Sequence, residues 1–216
     1  ADHHLLLTAR VLTSVPFEAL LAALAAAVLH ASWNAAVKGS RDRLLDVTLL
    51  SVIAGVMGLA LALSRAPLVG EAWIWVAATS LIHIAYMYLL ALAYDTGELG
   101  HVYTVARGLP PMLIALLASL TIGETPTPNV LVGIALITTG ILAVGLSPGA
   151  HLRGTLIAIG VALTIASYSM TDGIGARASG DPLAYAGWVF FAVGITTGLM
   201  GLALRGRRTI VYARTH

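Results

Sequence analysis

The stretch that decides the fold reads HVYTVARGLPPMLIALLASLTIGE, from His101 to Glu124. A tyrosine, an arginine and two adjacent prolines open it, and an apolar run typical of a bilayer-crossing helix follows. An arginine at the centre of such a helix costs about 2.5 to 17 kcal/mol, so it usually has a function there. The alternative is that Arg107 lies at the interface, where its guanidinium reaches the lipid headgroups. This stretch alone leaves both interpretations open.

The composition of the whole chain indicates an integral membrane protein. Of the 216 residues, 58% are hydrophobic and 10% are charged, whereas soluble domains carry about 25% charged residues. Because so few charges cannot solvate a globule of this size, the lipid bilayer is the expected partner of most of the surface. The basic residues lie at the ends of apolar runs, which indicates topology and argues against a nucleic-acid partner. The chain has no cysteine, which excludes disulfides and thiolate metal sites.

Apolar segments of about bilayer length recur along the chain, separated by short connectors rich in Gly, Pro and charged residues. The sequence therefore predicts an all-α membrane protein, a polytopic bundle of about seven transmembrane helices. A β-barrel is excluded because the runs lack polar alternation. The predicted spans are Pro16–Val37, Asp46–Leu63, Ala72–Tyr94, Val102–Ile122, Val130–Leu146, Gly154–Thr171 and Pro182–Leu204.

The distribution of basic residues predicts the orientation. The side that holds the first connector, which carries the sole lysine, Lys38, also holds most of the arginines. Because cytoplasmic loops carry the excess of Lys and Arg, we expect this side to be cytoplasmic and the N-terminus to lie outside.

A weak internal repeat predicts the domain organisation. Ala31–Asn34 ends the first span, and the similar Ala166–Ser169 ends the sixth, about 135 residues later. Five spans per period place the two copies upside down relative to each other, as in many secondary transporters. A second full repeat would run to about residue 280, so we expect its last three spans to be missing. The predicted parts are a tail at 1–15, a five-span repeat at 16–146, two spans of a second repeat at 152–204, and a tail at 205–216.

Arg107 is the strongest candidate for a binding residue. Tyr103, Arg107 and Pro110 recur at i, i+4 and i+7, on one helix face. Pro110 and Pro111 each remove a backbone donor, so we expect the helix to break there. Broken backbone at membrane depth is tolerated only when it is buried or lines a wet cavity. Arg107 and Tyr103 are therefore predicted to hold a carboxylate or phosphate, or else Arg107 pairs with Asp172 of the protein.

The first span carries a second set of candidates. His30, Trp33 and Asn34 share one helix face, which predicts a polar wall of a substrate path opposite Arg107. The alternative is that His30 and Asn34 hydrogen-bond to a neighbouring helix while Trp33 lies in the interfacial aromatic belt.

Two further spans carry weaker candidates. In the third span, Tyr86 lies on one stripe of the helix with His83. The stripe either faces the substrate, or packs against neighbouring helices or lies in the interfacial aromatic belt. In the sixth span, Tyr168 is a candidate for the same site. Asp172 could take up and release protons, or merely cap the end of the span before Gly173.

Small residues predict where helices approach closely. The relevant glycines are Gly194, Gly198 and Gly201 in the seventh span, and Gly133 and Gly140 in the fifth.

Enzyme signatures are missing from the sequence. There is no Gly-x-Ser-x-Gly, no His-Glu-x-x-His, no phosphate loop and no pair of intramembrane aspartates. We therefore expect a protein that is not an enzyme, with no catalytic residue, no metal and no cofactor.

The residues of the fourth span resemble those of a known family. Tyr103-Thr-Val-Ala-Arg107-Gly-Leu-Pro-Pro111 and the closing Gly123-Glu124 look like the fourth span of EamA-like proteins in the drug/metabolite transporter superfamily. The stretches His30–Asn34 and Tyr94–Glu98 also resemble spans of that family. The resemblance covers about residues 17 to 204 and implies ten spans in two inverted repeats, which move small metabolites across a bacterial inner membrane.

Two departures from the family pattern bear on the prediction. Thr104 stands where the family has a proline, and the last three spans of the second repeat are expected to be missing. Small multidrug exporters of the same superfamily carry a glutamate in the middle of their first span. Glu18 lies at the start of this one, which argues against proton-coupled export of cationic drugs.

These observations predict a secondary transporter, or permease, that works by alternating access. Its expected substrates are small anionic or zwitterionic metabolites such as amino acids, and its expected location is the bacterial inner membrane, which it crosses several times. Homo-oligomerisation stays open. The alternative is a non-transporting membrane scaffold or accessory protein, or an inactive transporter fragment.

Overall fold

The architecture is helical throughout the part of the chain that the computed structural model describes, residues 17–38, 42–95, 99–121, 123, 125–145 and 151–215. No strand occurs in these ranges, and the tail at 1–15 lies outside them. The helices are α1 (Phe17–Lys38), α2 (Arg43–Leu63), α3 (Ala72–Asp95), α4 (Leu99–Gly108), α5 (Pro110–Thr121), α6 (Pro128–Gly145), α7 (Leu152–Ala178), α8 (Pro182–Arg205) and α9 (Arg207–Thr215).

Several helices are suited to a bilayer, which confirms the predicted polytopic membrane fold. Within the described residues, five segments are long and apolar enough to cross a membrane: Leu44–Leu63, Ala72–Leu90, His101–Thr121, Leu152–Ala178 and Pro182–Arg205. Shorter apolar helical segments occur at Leu20–Leu29 and Pro128–Ala143. Large apolar side chains such as Val56, Leu81 and Leu136 are exposed, as expected where lipid is the solvent. The chain is a multi-pass membrane protein.

The chain divides into two compact units, Ala1–Asp46 and Val47–His216. The first unit contains α1 and the first residues of α2. There, the Asp42 carboxylate accepts a hydrogen bond from the Leu45 amide at 3.3 Å, which satisfies a donor in the first turn of α2. The second unit contains the remaining helices and most of the candidate residues.

Helices α3 and α7 form the centre of the second unit and run antiparallel. His83 stacks on Tyr168, and further along α3 the side chain of Leu89 reaches Gly160, which lies earlier in α7. Gly160 leaves the space that Leu89 fills, since a methyl group there would lie 3.3 Å from its Cδ1. This register fixes which polar side chains of α3 and α7 face each other.

Helices α2 and α8 meet along glycines. A methyl group added at Gly58 would lie 2.7 Å from the Gly187 carbonyl oxygen, and one added at Gly194 would lie 2.8 Å from the Gly55 Cα. Near the end of the contact, a methyl group at Gly201 would lie 2.6 Å from a side-chain methyl of Thr48. The close packing predicted for Gly194 and Gly201 is confirmed.

The same prediction is wrong for two glycines of α6. An added methyl group at Gly133 or Gly140 would meet no described atom within 4 Å. The physical reason is that these glycines face away from the helices that α6 contacts. Instead, α6 uses Ile141, which packs against Gly108 at the end of α4.

The predicted break in the fourth span is confirmed. Helix α4 ends at Gly108, Leu109 is bent, and α5 begins at Pro110. The amide of Leu109 still donates to the Val105 carbonyl at 3.2 Å, but neither proline has an amide hydrogen to continue the ladder. The chain therefore crosses this region as two helices.

Two segments differ from the sequence-based expectation. The sixth span was expected to end at Thr171, but α7 runs to Ala178 because Gly173 and Gly175 do not interrupt it. Gly175 serves packing and does not end the helix, since a side chain there would overlap the Tyr185 ring. The segment after Arg205, expected as a tail, turns at Gly206 (φ 56°) and continues as helix α9.

Candidate functional site

Five candidate side chains lie together in the second unit. They are carried by α3, α4 and α7, and consist of His83 and Tyr86 on α3, Arg107 on α4, and Tyr168 and Asp172 on α7. The antiparallel register of α3 and α7 brings the four on these two helices together.

Three rings form the middle of this cluster. His83 and Tyr168 are stacked, with ring centroids 4.3 Å apart and planes 30° apart. Tyr86 lies edge-on to both, at 6.2 Å from His83 and 6.1 Å from Tyr168. Such edge-to-face and stacked pairs are favourable beyond the area that they bury, so each ring restrains the other two.

Arg107 lies against the aromatic cluster. Its Cζ is 5.3 Å from the centroid of the Tyr103 ring, within the range of a cation–π contact. The guanidinium is also near enough to act electrostatically on the hydroxyls of Tyr86 and Tyr168. The preceding Ala106 is buried against Val161 of α7, so the last turn of α4 is anchored in protein. The structure thus holds a half-buried guanidinium among phenol rings.

Asp172 lies one turn beyond Tyr168 on α7 and acts electrostatically on its hydroxyl. The Tyr185 hydroxyl of α8 donates a hydrogen bond to the Asp172 carboxylate at 3.2 Å. Thr79 of α3 also faces this carboxylate, although its buried Oγ1 makes no hydrogen bond of normal geometry. The interpretation of Asp172 as an end cap is wrong, because α7 continues six residues beyond it and its C-cap is Ser179.

The histidine of the cluster has a defined tautomer. His83 Nδ1 lies 2.9 Å from the backbone carbonyl oxygen of Thr79. Since a carbonyl can only accept, Nδ1 carries the hydrogen, and in neutral His83 the lone pair is on Nε2. The ring can therefore take up a further proton only at Nε2.

Three predicted residues belong to the other unit. His30, Trp33 and Asn34 lie in helix α1, and their side chains lie outside the described part of the structure. Their predicted position opposite Arg107 stays a prediction.

Sequence reasoning missed two members of the cluster. Thr79 lies one helical turn before His83, so the i, i+4 spacing could have placed it on the same face. Tyr185 gave no such signal, because it reaches Asp172 across the turn between α7 and α8.

No metal centre accompanies these side chains in the described ranges, where no three His, Cys, Asp or Glu residues come together. The comparison with protein families gives a positive result. A model of the EamA-like transporter family matches residues 17–146. The chain belongs to the EamA-like transporter family. The match covers α1 to α6 and so includes Tyr86 and Arg107 of the cluster.

Searches of curated proteins and of solved structures found no match. The family is one of membrane transporters and not of enzymes.

Proposed function

We propose that this EamA-family protein is a secondary transporter for small anionic or zwitterionic metabolites such as amino acids. The observation that carries the proposal is the position of Arg107 beside Tyr103, Tyr86 and Tyr168. The mechanism is alternating access around this site.

The chemistry of the cluster suits a carboxylate. A guanidinium donates a fork of two parallel hydrogen bonds to a carboxylate, a geometry that an ammonium group cannot offer. The Tyr86 and Tyr168 hydroxyls can donate as well, and the rings give the rest of a small metabolite an apolar wall.

The other predicted site residues complete the proposal. His30, Trp33 and Asn34 of α1 are included in the proposal as further substrate-binding residues, and so is Asp172 of α7. The transporter works in a bacterial inner membrane, with the bilayer and a small metabolite as its partners. Oligomerisation stays open.

Counterflow in proteoliposomes tests this proposal. The purified chain is reconstituted, the vesicles are loaded with unlabelled compound, and entry of labelled L-glutamate, L-leucine or putrescine is measured against empty liposomes. We expect accumulation of the anionic or the zwitterionic amino acid, and none of the dication putrescine.

Accumulation of putrescine alone would contradict the proposal, because Arg107 repels cations. Failure of every amino acid in a wider panel, with the protein folded, would favour the alternative of a non-transporting membrane scaffold.

A further inference from the structure

A polar cluster inside the spans lies next to the proposed anion site. It consists of Asp172 on α7, Thr79 and His83 on α3, and Tyr185 on α8. Asp172 is about 9 Å from the C-terminal end of α7, within a segment suited to cross the bilayer. A carboxylate in this position is costly unless it is paired or neutralised, so it is a functional group by default.

We infer that Asp172 is the proton-binding site of this transporter, and that its protonation state is coupled to substrate binding at Arg107. The inference rests on the proposed transport function. The inference identifies the coupling ion, which the arrangement of Arg107 and the aromatic rings does not identify.

The coupling follows from charge. Both sites adjoin Tyr168, since Arg107 and Asp172 each act electrostatically on its hydroxyl. A charged Asp172 therefore repels a substrate carboxylate held by Arg107. This repulsion is strong because like charges interact strongly in a low-dielectric region. When Asp172 carries a proton it is neutral, and the repulsion is removed.

The groups that face Asp172 from each neighbouring helix support a proton. From α3 come Thr79 and His83, from α8 comes Tyr185, and Tyr168 lies one turn away on α7 itself. The imidazole of His83 exchanges protons at Nε2, since Nδ1 donates to Thr79, and it acts electrostatically on Asp172. A titratable pair thus borders the substrate site.

The same surroundings argue against sodium. Sodium sites in secondary transporters use backbone carbonyls freed by unwound helices. Helices α3 and α7 run without a break past the cluster, so their carbonyls are engaged in their own ladders. The break at Leu109 lies in the fourth span, beside Arg107 and not beside Asp172.

The proton balance of one cycle is simple. A proton leaves water on one side of the membrane and binds a carboxylate oxygen of Asp172, which becomes neutral. The substrate anion then binds at Arg107, and the loaded protein reorients. On the other side the substrate leaves, and the carboxyl returns its proton to water. One proton and one anion cross together.

Infrared spectroscopy tests proton binding without a substrate. The full chain in lipid nanodiscs is titrated with acid, and the band of the protonated carboxyl is followed in wild type, Asp172→Asn and Glu71→Gln. Glu71 is a matched control, because it is an exposed carboxylate just before α3. Among the carboxyl bands that the ten acidic residues give, we expect one that disappears in Asp172→Asn, persists in Glu71→Gln and is insensitive to sodium. A spectrum that Asp172→Asn leaves unchanged would overturn the inference, as would a titration that sodium displaces.

Transport measurements test the coupling. In wild-type proteoliposomes an inward acid gradient should stimulate L-glutamate uptake, and a sodium gradient should not. Asp172→Asn should lose this stimulation by the acid gradient. Asp172→Glu should restore the stimulation, which would show that its loss in Asp172→Asn does not result from misfolding. Glu71→Gln should behave as wild type.

In the transport and binding measurements, three results would overturn the inference. The first is an unchanged response of Asp172→Asn to the acid gradient, and the second is uptake driven by sodium. The third is loss of L-leucine binding alone in Asp172→Asn, which would make Asp172 the ligand of the substrate amine. Absence of counterflow in wild type would instead count against the proposed function, which separates the two failures.

Discussion

At the scale of single residues, Asp181 joins two connectors and begins a helix. Its carboxylate accepts hydrogen bonds from Arg65 Nε at 2.9 Å and from the amides of Leu183 at 3.0 Å and Ala184 at 3.1 Å. The first contact ties the segment after α2 to the segment before α8, and the others cap α8. Pro182 occupies the first turn of α8, where a proline needs no donor.

This arrangement predicts an acid-sensitive contribution to stability. The hydrogen bond from Arg65, helped by the Ala184 amide, holds the pKa of Asp181 below its ordinary value. A lowered folded-state pKa stabilises the protein above the unfolded value of about 3.9 and ceases to do so as pH falls through the folded value. Asp181→Ala should therefore lower the melting temperature in detergent at neutral pH and have a smaller effect in strong acid. A difference that persists undiminished in acid would contradict this assignment.

The residue scale also shows how far the sequence predicted the site. Tyr103 and Arg107 are one turn apart on one helix, so local spacing was enough to place them together. The sequence does not show that Asp172 lies inside a helix, because Gly173 and Gly175 are typical of a helix end. Gly175 instead makes room for the Tyr185 ring, a contact between helices that no local pattern encodes.

At the scale of elements, the glycine contact between α2 and α8 allows a paired test. A methyl group added at Gly58 would lie 2.6 Å from Phe190 Cβ and 2.7 Å from the Gly187 carbonyl oxygen, so the two backbones must separate. Gly58→Ala should cost about 1–3 kcal/mol of stability, as overpacking usually does. The measurement is unfolding of the purified protein in mixed micelles.

Gly133→Ala is the matched control for this test. Nothing described lies within 4 Å of the added methyl group, so stability should stay unchanged or rise by up to about 1 kcal/mol. Equal effects of the two substitutions would mean that the contact between α2 and α8 is not tight.

The break between α4 and α5 makes a separate prediction. Pro110→Ala/Pro111→Ala restores two amide donors, so α4 and α5 should join into one helix and lose the bend at Leu109. We expect counterflow to fall while thermal stability stays the same or rises, since a proline inside a helix costs about 3 kcal/mol. Pro128→Ala, at the first turn of α6, should change neither quantity. Full counterflow in the double variant would show that the break is not needed for transport.

At the scale of the whole molecule, hydrophobic length and composition were enough to predict a helical membrane bundle. Each span can be predicted from its own sequence, because about 20 apolar residues in a row are typical of a helix that crosses a bilayer. The pairing of spans is different, since α3 meets α7 through residues far apart in sequence. The inverted repeat, the orientation and the position of His30 relative to Arg107 likewise depend on the assembled molecule, and they stay predictions.

The central claim is that Arg107 holds the anionic end of a transported metabolite. The most direct test is the affinity of reconstituted protein for labelled L-glutamate in wild type, Arg107→Gln and Arg177→Gln. Arg177 is a matched control, because it is an exposed arginine in the last turn of α7. A charge-assisted hydrogen bond contributes about 1.5–3 kcal/mol, so Arg107→Gln should weaken binding about 10- to 100-fold. Arg177→Gln should bind as wild type does. Unchanged binding and counterflow in Arg107→Gln would contradict the account.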